Sequence, residues 1–195
     1  MATYMFDNYF NDKANLNVVK EVFGKLLESF GFVGNELEKE LNRILRAFKS
    51  EYNNCKRFIG GKLQEYKETS SERTKIEFVN LVLKRLSGTK GWLDMYLENY
   101  NREDPIRGSE IIFLGIALAD LLATVQYGLS CDTFLVSRKY FRQAEVIIES
   151  FITKFREIFI HLDLTPVNKR IIHIANKIGN EDHKTLVGQI AEQFG

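Results

Sequence analysis

Cysteine is scarce in this 195-residue chain: Cys55 and Cys131 are the two present, far apart and without CxxC or any other metal-ligand spacing. A disulfide scaffold and a zinc ribbon are thereby excluded, and two free, buried thiols in a reducing compartment, the cytoplasm, are expected. Neither sign of charge is in excess, with 27 basic against 26 acidic side chains and a formal net charge of +1. A dedicated nucleic-acid binder normally carries a basic surplus, so nucleic acid is not an expected partner. The first residues, MATYMFDNYFND, contain two acids and lack both a basic start and an apolar core, so no secretory signal is expected. No GxxxxGK[ST], GxGxxG after a strand, GxSxG, HExxH or EF-hand loop occurs, which leaves no common signature on which to base a reaction or a cofactor. Strand-like alternation bounded by turns is also missing, as are internal repeats.

What the chain has is helical periodicity. With 45% hydrophobic and 27% charged residues and only two prolines, it has the composition of a folded globular protein. The fold class predicted is all-α, a single-domain bundle (1–195) of about seven to eight helices. Its centre is the segment 111–127, IIFLGIALADLLATVQY, which starts at Ile111, ends at Tyr127 and carries Asp120 as its one charge. A helix apolar on every side must be surrounded by other helices or by lipid. A bilayer span needs about 20 apolar residues, and a carboxylate at its middle costs roughly 2.5–3.5 kcal/mol on the most permissive scale. Burial inside a bundle is therefore the leading reading, and insertion into a membrane the lesser one.

The other elements follow from spacing. Val19, Val22, Phe23, Leu26, Leu27 and Phe30 share one helical face, with Asn15 as the expected cap and Gly31 as the expected left-handed stop. A second helix, 36–59, aligns Leu37, Leu41, Ile44, Phe48, Tyr52, Cys55 and Ile59 at an average step of about 3.67 residues, the repeat of a nearly straight helix. Gly60 and Gly61 are expected to break or bend it, and Thr69 with Glu72 to form a capping box for a third helix ending at Gly88. A shorter fourth helix would carry Trp92, Leu93, Tyr96, Leu97 and Tyr100. Beyond the central segment, Phe141, Ala144, Ile148, Phe151, Phe155, Ile158 and Leu162 alternate three and four apart, opposite a mixed-charge face that includes Arg142, Glu145 and Thr153. Two more helices are expected, one opened by Thr165 and Pro166 and one by Asn180.

Three groups of residues invite a functional reading. Asp120 must have a partner, because an unpaired carboxylate in an apolar core costs several kcal/mol or takes up a proton. Thr124, one turn on, could donate its hydroxyl, and an Arg, Lys, Tyr or Trp92 of a facing helix could supply the rest. Tyr4, Phe6, Tyr9 and Phe10 form an aromatic N-terminal arm (1–12), expected either to pack across the chain's own bundle or to fill a groove on a second subunit or partner. His161, Asp163 and His173 flank one turn but match no dedicated metal site, so no metal is expected. The function expected from this pattern is a non-catalytic helical module that binds another protein or itself, a homodimer included. The alternative is a bundle with an apolar cavity for a lipid-like ligand, or one that engages a membrane through its central helix. An enzyme centred on Asp120 or on the His161 cluster is the least favoured reading.

Overall fold

The computed structural model describes residues 12–99, 110–128 and 138–158, together with the single positions Pro166 and Lys169. Every regular element among them is an α-helix, and there are five: α1, Asp12–Ser29; α2, Gly34–Glu68; α3, Glu72–Asn99; α4, Glu110–Gly128; and α5, Arg138–Ile158. The all-α class stands. The larger count of seven to eight is not what the described part contains, because the expected third and fourth helices are one element, as shown below, and the expected helices after Thr165 and Asn180 lie outside the described residues. So do Tyr4, Phe6, Tyr9 and Phe10 of the arm, Cys131, and the three histidines His161, His173 and His183.

The chain divides into two compact units, one of residues 1–45 with 161–195 and one of residues 46–160, the division falling inside α2. In the first unit, Val19, Val22, Phe23, Leu26 and Leu27 of α1 and Leu41, Ile44 and Leu45 of α2 are buried. Asn15, expected as a cap, is instead a buried residue inside α1, which starts three residues earlier. Its place four before Val19 puts it on the inward stripe. Gly31 is the left-handed stop that was expected, with φ +87. Its amide donates to Glu28 O at 2.9 Å and the Phe32 amide to Leu27 O at 3.1 Å, the paired bonds of a Schellman close. Phe30 lies at that exit from the helical path and is 41% exposed, so it is not part of the core stripe.

Gly60 and Gly61 do not break α2, which runs through them without interruption. The buried stripe continues through them from Ile59 to Leu63 and Tyr66, and the Tyr66 ring packs on Phe78 of α3 at 5.3 Å. Each glycine costs a helix interior roughly 1 kcal/mol relative to alanine, whereas burying a large apolar side chain gains about 1.5–3 kcal/mol, so packing overrides the local preference. Both glycine positions face open space. Gly60→Ala and Gly61→Ala are accordingly expected to stabilise the fold by about 0.5–1 kcal/mol each in urea denaturation. A lowered midpoint would show that the helix needs to flex there.

The same competition joins the expected third and fourth helices into α3. Gly88 and Gly91 are passed because the inward stripe of Val79, Val82, Leu83 and Leu86 runs on into Thr89, Leu93 and Tyr96. Thr89 joins it without a polar cost, its hydroxyl donating to Leu86 O at 2.5 Å. The N-terminal cap is Ser71 and not the expected Thr69 and Glu72 pair: Ser71 Oγ accepts the Thr74 amide at 3.4 Å, while Thr69 Oγ1 accepts the Ser71 amide in the preceding turn. Ile76, expected inward, is instead 38% exposed near the start of α3, and Leu97 is also exposed.

In the second unit α3 packs against both α4 and α5. Helix α4 is buried on every side from Ala117 to Gly128, and before that on one side, with Ile112, Phe113 and Ile116 half-buried. It is long and apolar enough to cross a membrane by length and composition, yet 83% of its most apolar window is covered by the protein itself. Trp92 of α3 stacks on Phe113 at 5.9 Å, and Gly128 lies so close to α3 that a Cβ there would come within 2.9 Å of a Val82 methyl. Ala144, Ile148 and Phe151 of α5 are buried as its spacing predicted, with Arg142 and Thr153 exposed, and Lys154 pairs with Asp94 of α3.

Candidate functional site

Asp120 and Thr124, one helical turn apart on α4, are both buried, and the structure sets a cation near Asp120, whose Oδ1 accepts no hydrogen bond among the described residues. Its cation is Arg85 of α3, whose Nη2 lies 3.9 Å from Asp120 Oδ1 and 3.9 Å from Glu51 Oε1 of α2. Arg85 Nη2 also donates to Cys55 Sγ at 3.0 Å, and Cys55 in turn lies 3.8 Å from Thr124 Oγ1. The Thr124 hydroxyl thus meets the thiol of α2 rather than Asp120, and Trp92 is engaged with Phe113. One turn further along, Tyr52 of α2 donates its hydroxyl to Gln126 Oε1 at 3.2 Å.

Three helices therefore meet in one polar cluster. Its inner end, Asp120, Thr124 and Cys55, is sealed from water; its outer edge is the partly exposed Glu51 and Arg85, with the Arg85 guanidinium 5.5 Å above the ring of Phe58. That cation–π contact accounts for a phenylalanine left 46% exposed.

Burial decides how these groups titrate. The Asp120 carboxyl is pushed up to about 7, chiefly by desolvation and then by the hydrogen bond and charge of Glu51, with Arg85 only partly opposing. Burial, followed by the Asp120 charge, raises the Cys55 thiol to about 11 despite the arginine beside it. For Arg85, burial works downward but is outweighed by Cys55, Asp120 and Glu51, so its pKa is raised and it stays a cation. The cluster consequently holds a proton that comes and goes near neutrality, next to a fixed positive charge. Its thiol is not a nucleophile, because thiolate character requires a depressed pKa.

Sequence periodicity placed Asp120, Thr124 and Cys55 correctly inside the core but did not find Glu51 or Arg85. Glu51 had a legible signal: it stands four residues before Cys55 on α2, so it projects from the flank of the same stripe. Arg85 lies immediately before buried Leu86, a position from which a long side chain can reach back into a core while its stem stays packed. Among the described residues no group of three or more His, Cys, Asp or Glu could hold a metal ion.

The first unit carries a different feature. An open groove of about 520 Å³ runs between α1 and the first turns of α2, with Gly24, Leu37 and Leu41 at its apolar floor and Asn17, Lys20, Glu21, Lys25 and Glu28 around it. The groove exists because the side of α1 facing it has a glycine at its middle, where a Cβ would touch nothing within 4 Å. Beside the α1–α2 turn, Val33 is 72% exposed. Comparison of the chain with protein-family models, with curated proteins and with solved structures finds no match.

Proposed function

We propose that this protein is a non-catalytic helical module that binds another protein chain, or a second copy of itself, along the α1–α2 groove. The observation that carries the reading is the groove itself, with Gly24, Leu37 and Leu41 lined by two lysines and two glutamates. Such a depression takes a partner helix, and a rim of mixed sign favours one register over others. The buried cluster of Arg85, Asp120 and Cys55 serves the scaffold in this reading, tying α2, α3 and α4 together and leaving the first unit to do the binding.

The test is a photoreactive residue placed at Lys20 in the full chain, with an equivalent at exposed Lys84 as the control. Lys20 is expected to give a discrete protein adduct in cells and Lys84 none. Gly24→Leu fills the groove and improves the helix, so it should abolish the Lys20 adduct while leaving the thermal midpoint equal or higher. Absence of an adduct, or one indifferent to Gly24→Leu, would remove the proposal.

A further inference from the structure

The rim of the groove has a symmetry of its own. Counted from Gly24, Lys20 lies four residues toward the N-terminus of α1 and Glu28 four toward its C-terminus, so the two flank the glycine at equal distances with opposite charges. Both are exposed, and among the described residues neither is engaged in an ion pair, whereas Lys25 and Glu21 are paired with each other at 3.1 Å. We infer that the chain binds a second copy of itself through this face, two α1 helices crossing antiparallel about a two-fold axis at Gly24. This names the partner within the groove reading above and rests on it.

The geometry selects that arrangement. About such an axis, a residue a given number of positions before Gly24 comes level with the residue the same number after it in the other copy. Lys20 then meets Glu28 of the partner subunit, and Glu28 meets Lys20 of the partner subunit, giving two ion pairs from one complementarity. A parallel crossing would set Lys20 against Lys20 of the partner subunit and Glu28 against Glu28 of the partner subunit, two like-charge pairs along one seam. Glycine at the crossing point lets the two backbones approach closely, as small residues do at tight helix crossings.

Charge reversal tests this in the full chain, read as mass by light scattering over a range of concentrations, with circular dichroism to show that the fold is kept. The parent should run as a dimer. Lys20→Glu and Glu28→Lys, each of which sets like charges against one another twice, should weaken the dimer about tenfold or more. An equimolar mixture of the two single variants should recover parental affinity as a heterodimer. Its two contacts restore one opposite-charge pair between the unaltered side chains and create a second between the carboxylate introduced at position 20 and the ammonium introduced at position 28. A monomeric parent overturns the inference, as does a dimer insensitive to either reversal or a mixture that fails to pair. A monomeric parent that still yields a Gly24-sensitive adduct from Lys20 with a different protein defeats the second copy as partner and leaves the groove reading intact. With no adduct, both fall.

Discussion

Truncating any one of Leu114, Leu118, Leu122 and Tyr127 to alanine is expected to destabilise the protein by about 2–5 kcal/mol, whichever side of α4 the residue occupies. All four are buried, the three leucines sharing one side of the helix and Tyr127 lying on the opposite one. Each deletion removes apolar contact and leaves a cavity in a packed interior, where neighbours close in only partly. The contrast with α2 sharpens the expectation. Leu45 and Leu41 of that helix are buried while Arg46 and Asn42, next to them, are exposed, so an equivalent scan there should alternate between large and near-zero losses with the helical period. Equilibrium urea unfolding of the four α4 variants decides the matter. A tolerant side, at which truncation costs less than about 1 kcal/mol, would mean that α4 has an exposed face and is not the centre of its unit.

Replacing Asp120 by asparagine is expected to flatten the dependence of stability on pH between about 4 and 7. In the native state the carboxyl holds its proton up to about pH 7, against 3.8 for the ordinary group. Within that window the folded chain binds more protons than the unfolded one, so the stability contributed by this group is present in full below pH 4 and is lost as pH rises through 7. The loss is on the order of 4 kcal/mol, at roughly 1.4 kcal/mol for each unit of displacement. Asparagine has no proton to lose, keeps a hydrogen-bonding side chain of the same shape, and should match the parent near pH 4 while exceeding it at pH 8. Asp120→Ala should lose about 1–3 kcal/mol near pH 4 through its unsatisfied neighbours and compare better with the parent at pH 8, since it too has no carboxyl to ionise. Arg85→Met should hurt more at pH 8 than at pH 5, since only the ionised carboxylate misses the cation. Thermal melts from pH 4 to 9 supply the comparison; parallel curves for parent and Asp120→Asn would show that this carboxyl titrates as an ordinary surface group.

These expectations depend differently on sequence and on structure. The burial of Asp120 was legible, because a lone charge within 111–127 has apolar neighbours at every helical position and so no face on which to escape. Its partners were legible only in part: Glu51's place four before Cys55 marks the flank of the α2 stripe, but nothing along the chain joins it, or the remote Arg85, to Asp120. Only the packing of α3 against α4, and the arrival of α2 beside them, chose these two. Conversely Tyr52, Cys55 and Ile59 were placed correctly in the core from their spacing alone, since a stripe at three and four residues has a single way to be covered.

By itself the sequence determined the all-α class, the inward stripes of α1 and α2, the Gly31 stop and the fully apolar α4, all properties set by nearest neighbours along one helix. Tertiary structure decided whether Gly60, Gly61, Gly88 and Gly91 end helices or lie within them, because a local preference of roughly 1 kcal/mol is smaller than the burial of Leu63, Tyr66, Leu93 and Tyr96 that continuity permits. It also decided where the charge of Asp120 is answered and that Gly24 opens a groove, since both depend on what a neighbouring helix places opposite a residue, and that distance in space is not encoded at any short separation along the chain.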